Sequence, residues 1–270
     1  MTAATTPAPR TLYVHDDLSP ILEGHGAASA AWKLGQALLA LLRRDGGRVV
    51  VLTLAQQLDA LIARGHHTSF ALAIGIGAAG ARVASQVHAR TGWFPTVRRV
   101  DVWREEDDSG GYVLSGPAPL ADQIEAHAGP WPSIAVVDDT IFSGQTMRTV
   151  VAALPPAPRR RTHVFCLRAV AESLPSVARL APVTAGFAAE GRILQDVSFI
   201  NASGLVEHTA IRRAGQPSLA FFERPEWMAA WFPDDHAAIT DLCRQLSAEL
   251  TRSRAAAGDA NVRPHAEERR

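Results

Sequence analysis

The stretch IAVVDDTIFSGQTM, Ile134 to Met147, sets the chain's most reactive side chains in one order. Four apolar residues would carry a strand through a sheet and deliver Asp138 and Asp139 at its C-terminal end, where open α/β sheets place their ligands. Ser143, Gly144 and Thr146 follow just before a helix-like run, so hydroxyls, unhindered backbone N–H groups and a helix dipole can meet one phosphate-sized anion. Carboxylates accept hydrogen bonds from hydroxyls while such a loop holds phosphate, and together they suit a sugar phosphate. The alternative is a strand followed by an ordinary capped helix.

The rest of the chain supplies the frame. Short apolar runs alternate with helix-like runs, a βαβ rhythm whose continuously apolar strands point to a parallel sheet covered on both faces. Strands are expected at 48–53, 69–74, 96–103, 134–137, 162–167 and 183–187, about five of them in the parallel sheet, with helices at 28–43, 54–64, 81–90, 147–154, 172–180 and 236–250. Gly75 to Gly80 reads as a glycine-rich turn, and Arg104 to Gly111 with the prolines beyond it as a long mobile loop. The expected organisation is a disordered lead at 1–10, an N-terminal helical or hood segment at 11–64, a core at 65–190, a C-terminal hood at 191–250 and a disordered tail at 251–270.

Over Ile134 to Thr146 the sequence resembles type I phosphoribosyltransferases, whose signature is four apolar residues, two acids and a loop ending in Ser/Thr-Gly-x-Thr. The resemblance implies that family's α/β fold, a mostly parallel central sheet of about five strands flanked by helices, with a smaller hood. It assigns Asp138 and Asp139 to the ribose hydroxyls of 5-phosphoribosyl pyrophosphate (PRPP), and Thr140, Ile141, Phe142, Ser143, Gly144, Gln145 and Thr146 to its 5′-phosphate. Gly75, Ile76, Gly77 and Ala78 stand where the family places its pyrophosphate loop, and Arg98 and Arg99 would add charge there.

Val97 to Gly116 is similar to the mobile loop of orotate phosphoribosyltransferases, where Arg98, Arg99 and Arg104 could neutralise departing pyrophosphate. The catalytic set implied is Asp138, Asp139, Arg99 and Arg104. That loop in the orotate enzymes carries lysines and a histidine, which this segment lacks, and Phe142 stands where the hypoxanthine-guanine enzymes carry an aspartate; a phenylalanine transfers no proton. The implied activity is Mg²⁺-dependent transfer of the phosphoribosyl group from PRPP to a nucleobase or related small acceptor, with release of pyrophosphate. The metal would be held mainly by substrate and water, with no direct protein ligand assigned, and a homodimer is expected from the family. The alternative is a PRPP-binding regulatory or sensor protein without transfer chemistry. PRPP synthesis would need a nucleotide motif such as a P-loop, which the sequence lacks.

Composition narrows the partners. The 270 residues carry 27 basic and 27 acidic side chains, so no global positive field draws the protein to nucleic acid or anionic lipid. No apolar run approaches the roughly 20 residues of a membrane span, and no basic cluster precedes an apolar core near Met1, which leads to the expectation of a cytoplasmic protein. Cys166 and Cys243 form no CxxC pair, and Lys33 is the sole lysine, so arginine must supply any cation chemistry. His66-His67 and His15-Asp16-Asp17 read as loop and cap residues. Phe221 to Phe232 reads as a packed aromatic cluster, with Asn201, Ser203 and Glu207 as candidate lining of a hood over the acceptor.

Overall fold

Strands apolar on both faces need helices on both sides, and the period of two decides which side chain meets which layer. The computed structural model describes residues 11–65, 67–106, 111–127, 129–190, 199–213 and 216–262. In chain order its elements are β1 (Leu12–His15), α1 (Leu18–Glu23), α2 (Ala30–Arg44), β2 (Val49–Leu52), α3 (Leu54–Ala63), β3 (Leu72–Ile76), α4 (Gly77–Thr91), β4 (Val97–Val100), β5 (Trp103–Glu106), β6 (Tyr112–Ser115), α5 (Leu120–Glu125) and β7 (Ile134–Ile141). They continue as α6 (Gln145–Ala153), α7 (Pro156–Arg159), β8 (Thr162–Val170), α8 (Leu174–Ala178), β9 (Val183–Ala189), β10 (Phe199–Asn201), β11 (Ile211–Arg213), β12 (Gln216–Leu219), α9 (Pro225–Trp231) and α10 (His236–Val262).

The central sheet has five strands in the order β4-β3-β7-β8-β9, all parallel, as expected of an α/β protein. Alternation splits its core in two. Ala73, Ala135, Val137, Phe165 and Leu167 pack with Leu58 and Leu61 of α3 and Ala84 and Val87 of α4. Ile74, Val136, Val164 and Cys166 pack with Met147, Val150 and Val151 of α6 and Val177 of α8. A Cβ on Gly80 would lie 2.3 Å from the Val137 carbonyl oxygen, so the missing side chain is what lets α4 rest directly on β7.

Two further sheets surround this core. β10, β1 and β2 form a parallel sheet, with Tyr13 opposite both Phe199 and Val50, so the two ends of the chain build one layer. Leu12 and Val14 share its core with Leu38 and Leu42 of α2, Trp231 of α9 and Leu246 of α10. The third sheet runs β12-β11-β5-β6, two antiparallel hairpins joined where β5 and β11 lie parallel at Glu106 and Arg213.

Several local expectations need correction. The segment read as a mobile loop contains the β5–β6 hairpin, with Trp103 opposite Ser115; residues 107–110 lie outside the described residues. Its charge hid the strand pattern, because Glu105 is satisfied on the hairpin by Trp103 Nε1 at 2.8 Å and Ser115 Oγ at 2.9 Å. The expected turn at Gly75 to Gly80 has almost no loop: β3 ends at Ile76 and α4 begins at Gly77, whose φ of 60° makes the bend. In place of the helix over 172–180, a 3₁₀ turn leads into the short α8, and α10 runs past Leu250 to Val262. The expected lead at 1–10 and, of the expected tail at 251–270, residues 263–270 lie outside the described residues, while 251–262 continue α10; no described helix is long and apolar enough to cross a membrane.

Candidate functional site

A cavity of about 440 Å³ opens where the C-terminal ends of β3 and β7 meet the β5–β6 hairpin and the residues after β10. Its floor is the stretch Asp138 to Met147. β7 is buried from Ile134 to Val137 and half-buried at Asp138, Asp139 and Thr140, so the sheet delivers both carboxylates to the edge of the cavity. Gly144 then takes φ 75° and caps α6, and the first-turn residues Gln145, Thr146 and Met147 line the cavity at the positive end of the helix. Arg148 braces this loop from behind, its Nη1 donating to the Ser143 carbonyl at 2.9 Å and to Ser176 Oγ at 2.8 Å.

The two acids differ. Asp138 Oδ1 accepts from the Asp139 N–H at 2.8 Å, and its carboxyl is held well above the usual carboxylate range, first by burial and then by the neighbouring charge of Asp139. Asp139 Oδ2 instead accepts from Arg168 Nη2 at 2.9 Å and from Thr140 Oγ1 at 3.2 Å.

Arg168 projects from the middle of β8 and is 2% exposed. Its Nη1 donates to Gln57 Oε1 at 2.7 Å, and its Nη2 also donates to Asn201 Oδ1 at 2.6 Å, while Nε has no partner among the described residues. Because Gln57 gives its oxygen to the guanidinium, its Nε2 must donate, and it meets His15 Nδ1 at 2.7 Å. Burial, then the charge of Arg168, lowers the pKa of His15, in keeping with a neutral ring accepting at Nδ1. The network thus joins β1, α3, β7, β8 and β10. Asp17 binds the following turn, accepting from the Ser203 N–H at 2.8 Å and Ser203 Oγ at 2.5 Å.

Of the residues singled out in the sequence, Ile76, Gly77, Ala78, Arg104, Asp138 through Thr146, Asn201, Ser203 and Glu207 line this one cavity. Gly75 does not; a Cβ there would lie 2.3 Å from the Ala81 nitrogen, so its smallness serves the contact of β3 with α4. Arg98 and Arg99 are exposed on β4 and do not line it, and Arg99 Nε donates to Asp101 at 2.6 Å. Arg104 is set between two rings, its guanidinium carbon 5.3 Å from the centroid of Phe142 and 5.2 Å from that of Tyr112. The hairpin carrying it is tied to the C-terminal segment by Arg224 Nη2 to Glu106 Oε2 at 2.5 Å and by Arg212 over Trp103 at 4.8 Å.

Phe221 lines the cavity, whereas Trp231 and Phe232 are buried in the terminal layer. Asp16 serves as a cap, accepting from the Ser19 N–H at 3.0 Å. His66 lies outside the described residues, and His67 packs edge-on against Phe165 at 5.0 Å. Arg168, Gln57 and His15 went unrecognised as site residues; the available signal was a lone charge inside the apolar run of β8, THVFCLRAV.

For a metal, the cavity offers the adjacent hard carboxylates Asp138 and Asp139, its third carboxylate, Glu207, being paired with Arg254, and no group of three or more His, Cys, Asp or Glu side chains gathers among the described residues. Such a donor set fits a magnesium ion that takes most of its ligands from phosphate and water.

No protein-family model and no curated protein matches the chain. Among solved structures it is similar to the purine phosphoribosyltransferase of Pyrococcus horikoshii, at 16% identity and TM-score 0.39, covering 57% of this chain and 92% of that one. It is also similar to a hypothetical protein from Neisseria gonorrhoeae with bound ppGpp, at 17% identity and TM-score 0.39, over 56% and 85% of the two chains. The xanthine-guanine-hypoxanthine phosphoribosyltransferase of Helicobacter pylori matches at 11% identity and TM-score 0.32, over 70% and 91%. Likeness at these scores leaves function to the chemistry of the site.

Proposed function

We propose that the cavity binds PRPP and that the protein transfers its phosphoribosyl group to a nucleobase or related small acceptor, releasing pyrophosphate. The observation that carries this reading is the sharing of one cavity by the acid pair, the α6 N-terminus and Ile76 to Ala78 at the end of the neighbouring strand. In this reading Asp138 and Asp139 accept hydrogen bonds from the ribose hydroxyls, and the N–H groups around Gly144 hold the 5′-phosphate. Gly77, at φ 60° on the cavity lining, and Arg104 take the pyrophosphate. The bond from ribose C1 to the pyrophosphate oxygen breaks with its electron pair leaving on pyrophosphate, and a nucleophilic acceptor atom forms the new bond at C1. The protein contributes position and charge complementarity. Mg²⁺, held in part by Asp138 and Asp139, would neutralise charge on the departing group.

A second reading, PRPP binding without transfer, draws on the placement of Arg98 and Arg99 outside the cavity, which leaves Arg104 as the arginine lining it among the described residues. Pyrophosphate release decides between them. With PRPP, Mg²⁺ and a panel of nucleobases, orotate and small aromatic acids, transfer predicts acceptor-dependent release that the Asp138→Asn/Asp139→Asn variant abolishes. PRPP binding with no release for any acceptor would overturn the transfer reading.

A further inference from the structure

Arg168 Nη2 can only donate, and it donates at once to Asp139 Oδ2 at 2.9 Å and to Asn201 Oδ1 at 2.6 Å. The atom of Asn201 that faces the guanidinium is therefore its oxygen. This fixes the amide the other way round at the cavity: Asn201 lines it, is half-buried, and its Nδ2 bonds to no acceptor among the described residues. One nitrogen is flanked by a carboxylate oxygen of the acid pair and by the amide oxygen, so the Asn201 amide is held next to Asp139, with both residues on the lining of the cavity. The guanidinium is itself rigidly seated, buried on β8 and gripped on its other arm by Gln57 Oε1 at 2.7 Å.

We propose that Asn201 is a ligand-binding residue whose Nδ2, oriented by Arg168, donates a hydrogen bond to a sugar hydroxyl oxygen beside Asp139. The chemistry is complementary: each hydroxyl is both donor and acceptor, an ionised Asp139 can only accept, and a neutral amide supplies a donor next to it without adding charge beside a phosphate. Arg168 acts as a positioning residue for two walls of the cavity, the acid on β7 and the amide on β10. The terminal layer is then part of the sugar site and not only a support for it. This inference rests on the sugar-phosphate reading above.

The test is calorimetric titration of ribose 5-phosphate, and separately of inorganic phosphate, into the full-length wild type, Asn201→Ala and Asn201→Asp near neutral pH, with thermal unfolding alongside. Losing one hydrogen bond to ligand is worth about 1 kcal/mol, so Asn201→Ala should weaken ribose 5-phosphate about fivefold to tenfold and leave inorganic phosphate unchanged. Asn201→Asp keeps size and strengthens the contact with Arg168, so its Tm should hold or rise while ribose 5-phosphate binding falls more than tenfold. A purely structural Asn201 predicts the same firm fold for the aspartate variant but with binding intact. Wild-type binding of ribose 5-phosphate that either variant retains within twofold overturns the role of Asn201 alone. Failure of the wild type to bind ribose 5-phosphate overturns it together with the sugar-phosphate reading.

Discussion

Asp139 Oδ2 lies 2.9 Å from Nη2 of Arg168, which makes the second acid of the pair the carboxylate that faces a guanidinium only 2% exposed. Removing one partner of a buried pair strands the charge of the other. Asp139→Asn and Arg168→Met should each destabilise the fold by about 3 kcal/mol, read from urea unfolding midpoints at constant slope.

Asp138 is the cleaner functional probe. Its folded pKa is raised by burial and by Asp139, so the folded chain keeps a proton that the unfolded chain releases. The stability this contributes is fully present below the ordinary carboxylate range and is lost as pH rises through the raised value. Asparagine mimics the protonated form. Asp138→Asn should therefore be more stable than wild type near neutral pH, with a flatter Tm against pH, yet bind PRPP at least tenfold more weakly.

His163 shows the opposite sign. Burial, then the charge of His67, lowers its pKa to about 4, and its ring stacks on Phe165 at 4.5 Å. On acidification the unfolded imidazole takes a proton near 6.5 while the folded one resists until about pH 4, so stability falls across that window. His163→Phe should hold its Tm between those limits better than wild type does. An unchanged pH profile would mean that His163 does not titrate differently in the fold.

The two glycines Gly80 and Gly144 should differ in cost. A Cβ at Gly80 meets the Val137 carbonyl oxygen at 2.3 Å, backbone against backbone, whereas at Gly144 it meets the Val177 methyl at 2.9 Å with φ at 75°. Gly144→Ala should cost about 1–2 kcal/mol through its left-handed backbone and weaken phosphate binding. Gly80→Ala should cost more, about 3 kcal/mol, because α4 must lift from β7. Equal unfolding midpoints for the two variants would contradict this.

Among the arginines, Arg104 lines the cavity between Phe142 and Tyr112 while Arg98 and Arg99 do not. Arg104→Ala should weaken pyrophosphate binding about tenfold, the scale of a charge-assisted contact, with Arg98→Ala and Arg99→Ala within twofold. The comparison is one calorimetric series with pyrophosphate.

The fold was legible where one residue type repeats with one period. Ile134 to Val137 and Val164 to Leu167 are uniformly apolar, so a covered parallel sheet followed, and the order of acids, glycine and hydroxyls placed the cavity floor at its edge. What the sequence hid depends on partners far away in the chain. β1 and β10 are each only a few residues long and become strands because they pair with each other, and β5 looks like a charged loop until Glu105, Glu106 and Arg104 find Ser115, Arg224 and Phe142. Arg168 alone broke the apolar pattern of β8. Gln57 and His15 carry no local mark, since only the packing of α3 and β1 brings them to the guanidinium.

Whether this cavity is a PRPP site built on the acid pair and the α6 N-terminus is decided by titrating PRPP with Mg²⁺ into wild type, Asp138→Asn and Thr146→Val by calorimetry. One site per chain is expected in the wild type, with affinity at least tenfold weaker in Asp138→Asn and measurably weaker in Thr146→Val, while both variants remain folded. No binding by the wild type, or binding that neither substitution alters, would contradict a PRPP site there.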